Sequence, residues 1–561
     1  MREKASSHPF QGPNSSQCRF SIATRTNRTI LPLEKRRCLT SNRGSDSIPK
    51  SFTPEVTNVT LLHLLQRSAE KFGVKTALLA GNRSVTYGEL WESVVRFGAA
   101  LRQLGVEPGE RVGVMLPNVP AFVQAYFGIL AAGGTVVPFN TLYKPEEVRS
   151  LLEDAAIQRI LTSQIFLPGL QEAAERLPFP VHVIPLDTES GPLGSVICGA
   201  TPRRGAVPEP GGMNPEEVAV CLYTSGTTGR PKGALLTHRN LVSNVESFQQ
   251  MAPCDERDCF LCVLPLFHSF AATVLMLFPL SIGAGIVLEP RFIPEQGLRC
   301  MAEKRVTIFG AVPSMYAVWN QLPPLEVDLS SVRFAISGGA PLPVEVLHRF
   351  ESRYGIQIYE GYGLTEASPV LTENPLLGPR KVGSVGKPLP GVELRVVDAA
   401  GNDVPTGEVG EIVARGPNIM QGYLNQPEAT AEVLRDGWLY SGDLGRQDVD
   451  GYFYIVDRKK DLIIVGGLNV YPREVEEVLA AHPAIAEVAV VGVPDSTRGE
   501  VPKAYVVLRP GLPAAKRELL RFVREHLAPF KVPREVEFCQ SLPMTISGKV
   551  LRQQLGSRGE R

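Results

Sequence analysis

The chain has 561 residues, 43% hydrophobic and 21% charged, a balance ordinary for a soluble enzyme and long enough for up to about four domains. Lys plus Arg and Asp plus Glu both total 58, so no global charge points to nucleic acid or an acidic surface as partner. Nine cysteines, an odd number spread over the chain, suit reduced thiols in a cytosolic setting better than a disulfide framework.

Residues 1–50 carry ten Lys or Arg against three Asp or Glu and contain no long apolar run, which argues against a secretory signal. A disordered tail, sequence upstream of the true start and a mitochondrial transit peptide are the readings of this segment. We expect residues 1–52 to be a disordered tail dispensable for catalysis, on a cytoplasmic protein or, should it be a transit peptide, a mitochondrial one.

From about Phe52 to Asp457, short β-branched runs alternate with helical patterns: "RVGVMLP", then "VPAFVQAYFGILAAGG", then "TVVPFN". This rhythm predicts layered parallel α/β structure. At Tyr223–Gly233 the chain reads "YTSGTTGRPKG", in which seven of eleven residues are Gly, Ser or Thr and Lys232 is the one lysine. Glycines let backbone N–H groups approach an anion, hydroxyls donate further, and a lysine adds a point charge, so the loop reads as a phosphate cradle. It does not fit G-x-x-x-x-G-K-[ST], because Lys232 follows Pro231 and precedes Gly233. The bland alternative is a flexible linker, but the flanks "VAVCLYT" (strand-like) and "ALLTHRNLVSNVESF" (helix-like) speak against it.

Cys254, Cys259 and Cys262 raise a metal site, yet no fourth ligand follows at finger spacing and "CFLCVLP" reads as a buried strand, so we expect core cysteines. No Asp, Glu, Lys or Arg occurs between Asp258 and Glu289, long enough to span a membrane. Pro265, His268, Pro279, Gly283 and Gly285 divide this run into strand, loop, helix and strand, which predicts a buried βαβ unit instead. No transmembrane span is expected; peripheral membrane contact, and monomer or homodimer, stay open.

Further runs, "RVTIFGAVP" and "VRFAISGGAP" followed by the helical "LPVEVLHRFESRYG", continue the α/β pattern. "SGGAPLP" (Ser337–Pro343) places glycines after a strand, as a flat ligand against backbone needs. "YGLTE" (Tyr362–Glu366) offers a ring, a hydroxyl and a carboxylate. Beyond "VGSVGKPLPGVELRVVD" short strands and Gly-rich turns predict antiparallel β structure, with Asp443 of "GWLYSGDLG" in a turn where it can accept from a ribose diol. From about Lys459 a helix, two strands and a helix predict a small α+β domain, near whose end "TISGKVLR" presents Lys549.

Taken together and in this order, these stretches, with "LFHSF" and "DRKKDLIIVGGLNVYPREVEEVL", resemble the adenylate-forming (acyl-CoA synthetase, AMP-binding) superfamily, over about residues 55–555 and most closely its fatty-acid–CoA ligases. The resemblance implies a large N-terminal domain of layered α/β subdomains with a β-rich subdomain (residues 53–457) and a small mobile α+β domain (458–561). It implies ATP, Mg²⁺ and coenzyme A as cofactor and co-substrates. Thr224, Ser225, Gly226, Thr227, Thr228, Gly229 and Lys232 would hold the β- and γ-phosphates, with Thr227 and Glu366 near Mg²⁺. Gly339, Ala340 and Pro341 would line the adenine and Tyr362, followed by Gly363, would stack on it. Thr365 would touch the α-phosphate and Asp443 the ribose, with Arg458 nearby, while His268 would approach the substrate carboxylate. Lys549 would bridge that carboxylate and the α-phosphate, stabilising developing charge. After the small domain swings about a hinge at Asp457, "VGGLNVYPREVE" would line the thiol tunnel, with Gly466 and Gly467 as its small residues. Glu360, which precedes Gly361, receives no role.

The chain ends about a dozen residues after Lys549, so a carrier domain and a full peptide-synthetase module are not expected, though a standalone acyl-AMP ligase is an alternative. Luciferase chemistry and a non-enzymatic membrane scaffold are further rivals. Around His268, Phe267, Phe270, "AATVLMLF" and "GAVPSMYAVW" offer apolar surface and no charge, which favours a fatty acid, with an aryl acid as runner-up.

Overall fold

The computed structural model describes residues 58–186, 213–224, 231–495, 497–544 and 550–556; the basic segment 1–52 lies outside them. The first layer is a nine-stranded sheet. Its strands run, edge to edge, Lys387–Pro388, Val370–Glu373, Ile358–Gly363, Phe334–Ser337, Ile308–Ala311, Cys259–Cys262, Gly285–Leu288, Thr76–Ala80 and Arg83–Thr86. Its centre is parallel and only the edge pairings are antiparallel. Strands such as "FAIS", "GIVL" and "IFGA" are buried along their whole length, because helices cover both faces of a parallel sheet.

The second layer is a seven-stranded sheet ordered Gly422–Tyr423, Lys232–Thr237, Val218–Thr224, Thr135–Pro138, Arg111–Met115, Arg159–Ser163 and His182–Leu186. All twelve residues of the helix Pro120–Ala131 are buried, and apolar residues of both sheets belong to one continuous core. The expected α/β layers are therefore found.

The run between Asp258 and Glu289 folds as a βαβ unit: Cys259–Cys262 and Gly285–Leu288 pair in parallel, joined by a buried helical segment. A π-helical turn at Thr273–Leu277 interrupts that segment, which the sequence pattern did not announce. Cys262 is buried within its strand, and burial pushes the thiols of Cys254 and Cys259 up to about 12 and about 11. Among the described residues no helix is long and apolar enough to cross a membrane.

Two local expectations need correction. "ALLT" continues not as helix but as the strand Lys232–Thr237, antiparallel to Val218–Thr224, and the helix begins only at His238. Thr237 ends the strand because its hydroxyl accepts from Asn240 N (3.1 Å) while Asn240 Oδ1 accepts from Thr237 N (2.8 Å), a reciprocal cap. Asp443 sits not in a turn but within the strand Trp438–Gln447; the φ of +71° at Gly442 supplies the kink that a turn was expected to make.

Trp438–Gln447 belongs to a five-stranded antiparallel sheet with Glu393–Val397, Gly410–Arg415, Leu434–Arg435 and Phe453–Arg458. The C-terminal region builds a second five-stranded sheet around the long hairpin Ile485–Asp495 and Gly499–Leu508, with its own apolar core under the helices Pro472–Ala480 and Lys516–His526.

Candidate active site

Parallel strands present their carboxyl ends together, and in such sheets ligands bind in the crevice beyond those ends. In the nine-stranded sheet Ile358–Gly363, Phe334–Ser337 and Cys259–Cys262 deliver in turn Thr365 and Glu366, the loop Gly338–Pro341, and His268. In the seven-stranded sheet, Val218–Thr224 ends where the glycine- and hydroxyl-rich loop begins, and Thr224 pairs with Lys232 across the hairpin. Ser225, Gly226, Thr227, Thr228, Gly229 and Lys549 lie outside the described residues.

A chain of contacts links the expected phosphate lysine to the expected carboxylate-binding histidine. Lys232 Nζ lies 5.1 Å from the centroid of the Tyr423 ring, and the Tyr423 hydroxyl donates to Glu366 Oε1 at 2.8 Å. Glu366 follows Thr365 in a short 3₁₀ turn, and Thr365 Oγ1 meets Ser269 Oγ at 3.3 Å. Ser269 opens the helix whose N-cap is His268, and His268 Nδ1 accepts from Phe270 N at 3.3 Å. Tyr423 and Ser269 escaped sequence reasoning; Tyr423 lies 57 residues from Glu366, and only the pairing of Gly422–Tyr423 with Lys232–Thr237 brings it there.

A second group forms at the same strand end. Tyr362 donates its hydroxyl to Asp443 Oδ2 at 2.7 Å, and Arg458 Nε lies 3.0 Å from Asp443 Oδ1. Asp443 and Arg458 are register partners on adjacent strands, so the ion pair is built into the ladder. Gly339 has φ +81°, in the left-handed region, and a Cβ on Gly363 would stand 1.9 Å from Pro369 O; both glycines are thus demanded by the backbone itself. Ala340 and Pro341 follow in the same loop, Pro341 exposed.

Glu360, buried on the strand that carries Tyr362, accepts from Leu342 N at 3.3 Å. Burial pushes its carboxyl up to about 7, against the pull of that N–H and of Arg473 and Arg380. Burial likewise raises the neighbouring Glu373 well above the ordinary carboxylate range, with the charge of Glu360 adding to it.

Asp457 connects the β-rich sheet to the C-terminal region. Its carboxylate accepts from Arg458 N (2.8 Å) and from Arg473 N (2.9 Å), capping the helix Pro472–Ala480 across the junction. Gly466 and Gly467 make no part of the contact chain above: they form the exposed two-residue turn of the hairpin Ile463–Val465 and Leu468–Val470, with φ +57° and +86° and open space around each.

The chain matches the family model described as AMP-binding enzyme over residues 65–424 and that of the AMP-binding enzyme C-terminal domain over residues 474–549. It is 40% identical over 528 residues to a long-chain-fatty-acid–CoA ligase of Bacillus subtilis (strain 168), covering 89% of this chain and 94% of the relative. It is also 40% identical over 485 residues to a feruloyl-CoA synthase of an Amycolatopsis species, covering 86% and 96%. Among solved structures it resembles ATP-bound MatB from Rhodopseudomonas palustris at a TM-score of 0.83 and 32% identity, covering 89% of this chain and 99% of that one. The chain belongs to the AMP-binding enzyme family, with a large N-terminal and a small C-terminal domain, and is an AMP-forming acyl-CoA synthetase close to the fatty-acid–CoA ligases.

Proposed function

We propose that the acid activated is a fatty acid. Its carboxylate attacks the α-phosphorus of ATP and expels pyrophosphate, and the thiol of coenzyme A then attacks the acyl-adenylate carbonyl, forming the thioester and releasing AMP. The observation that carries the substrate reading is the apolar wall beside His268. Phe270 is buried next to it, and a Cβ on Gly310 or on Gly338 would stand 3.3 Å or 3.4 Å from the Phe270 ring. Leu275 completes the contact at Gly310, and no charged residue lies between Asp258 and Glu289 to pair with a polar substrate.

The residue roles are those the family resemblance implies, and the contacts around His268, Thr365 and Asp443 support them. With Nδ1 accepting a hydrogen bond, a neutral His268 ring carries its proton on Nε2, the form that donates to a carboxylate oxygen. Thr365, held by Ser269, serves the α-phosphate, and Lys232 with the hydroxyls of Ser225, Thr227 and Thr228 serves the β- and γ-phosphates. Asp443 takes the ribose diol and Tyr362, fixed by its bond to Asp443, takes the adenine face, with Gly339, Ala340 and Pro341 along its edge. Lys549 approaches from residues 458–561, which turn about Asp457 relative to residues 53–457.

Magnesium fits this donor set. Glu366 makes no salt bridge among the described residues and its Oε1 accepts only a neutral phenol, so its charge suits a hard cation, to which the resemblance would add the Thr227 hydroxyl. Bound there, Mg²⁺ would neutralise charge on the phosphate oxygens. The hairpin at Gly466 and Gly467 is assigned to the coenzyme A channel of the second pose.

An aryl acid is the second reading, favoured by the feruloyl-CoA synthase relative, which is as similar as the fatty-acid ligase. Coenzyme A-dependent AMP release, measured with palmitate, octanoate, ferulate and benzoate in parallel, decides between them. Higher kcat/KM for the fatty acids is expected; higher kcat/KM for ferulate or benzoate overturns the assignment.

A further inference from the structure

Asn118 lies between the strand Arg111–Met115 and the helix Pro120–Ala131, at a carboxyl end of the seven-stranded sheet. Its side chain is only 3% exposed and reaches across to the other sheet. There Nδ2 donates to Leu264 O at 2.8 Å and to Cys262 O at 3.3 Å, while Oδ1 accepts from Leu266 N at 2.9 Å. Cys262 ends the strand Cys259–Cys262, and Leu264 and Leu266 belong to the segment that leaves it and delivers His268.

That segment has left its sheet, so Leu264 and Leu266 have no ladder to satisfy their backbone groups, and both residues are buried. A primary amide carries two N–H donors and a carbonyl acceptor in one plane, which suits the two carbonyls and the one N–H met here. Leu266 N is fixed two residues before His268, whose own N–H closes a turn on Pro265 O at 3.0 Å. The position of the ring is therefore set from the opposite sheet, by a residue about 150 positions earlier in the chain.

We infer that Asn118 is a positioning residue for His268, aligning it on the acid's carboxylate. The inference rests on the proposed meeting of His268 with that carboxylate. A plain staple between the two sheets would also use these bonds, but it would lower stability without favouring one substrate over another.

The test is a double-mutant cycle on the full-length enzyme with Asn118→Asp, His268→Ala and the double variant. Asn118→Asp keeps the shape but sets carboxylate oxygens against two carbonyl oxygens; Asn118→Ala, which adds no charge, serves where the aspartate variant does not fold. Asn118→Asp is expected to lower kcat/KM for palmitate by roughly 10- to 100-fold, the scale of a misplacement near 1 Å. The KM for ATP is expected to stay within about twofold, and the substitution to cost less than about threefold in the His268→Ala background. An equal loss in both backgrounds, or ATP and acid KM rising together, overturns the proposal. If His268→Ala alone leaves kcat/KM for palmitate unchanged, the reading of His268 itself falls, which the cycle reports separately.

Discussion

Asp443→Asn keeps the size of the side chain at the proposed ribose site but removes its charge and turns one acceptor oxygen into a donor. Asp443 is 5% exposed, and its two oxygens already serve Tyr362 at 2.7 Å and Arg458 at 3.0 Å, each with a lone pair left over. Arg458 is 47% exposed on its side chain, so the ion pair is screened and its loss costs less than about 1 kcal/mol of stability. The ribose diol, in contrast, donates two hydrogen bonds: one passes from a charged to a neutral acceptor and the other meets an NH2 that cannot accept, a loss of about 1 kcal/mol for each. The sum of about 2 kcal/mol corresponds to roughly a 30-fold weaker hold on ATP. Calorimetric titration with ATP, alongside steady-state KM for ATP and for the acid, measures this. An ATP affinity within twofold of the parent in a folded variant refutes the ribose assignment, and so does a parallel rise in the acid's KM.

Lys549→Ala is expected to abolish adenylation, losing about 3–4 kcal/mol of transition-state stabilisation, while leaving thioester formation from supplied acyl-adenylate and coenzyme A intact; an equal fall in both half-reactions contradicts the two-pose account. Deleting residues 1–50 is expected to leave turnover unchanged, and a loss of roughly tenfold contradicts that. Burial raises the Glu360 carboxyl from 4.5 to about 7, so the folded state holds its proton more tightly than the unfolded one. This group's contribution is therefore most favourable at low pH and declines as pH rises from about 4.5 to about 7, remaining lost above. Glu360→Gln should accordingly gain in urea midpoint over the parent at pH 8 relative to pH 5, and a difference that is the same at both pH values counts against the buried-carboxylate account.

The α/β layering was legible because strands such as "FAIS" and "GIVL" are apolar without alternation and are separated by helical patterns. The loop glycines, Glu366 and Asp443 stand out in the sequence because each sits in a short motif whose residue types would suit phosphate, cation or diol. What stayed hidden depends on long-range pairing. Tyr423 reaches Glu366, and Asn118 the His268 segment, only after two sheets have formed. "ALLT" reads as the start of a helix because it is apolar in either period, whereas it ends the strand Lys232–Thr237, whose limit depends on the Thr237 cap. The two glycines at 466 and 467 suggested close packing in a channel, whereas their positive φ alone already requires glycine in this turn.

The fatty-acid claim is tested most directly by kcat/KM along the straight-chain acids from acetate to palmitate at fixed ATP and coenzyme A. Each CH₂ transferred from water to the apolar wall around Phe270 should contribute about 0.8 kcal/mol, a factor of roughly four per carbon. The account predicts a steep climb that flattens or falls at the length that fills the site; a profile that is flat, or that peaks at acetate, contradicts it.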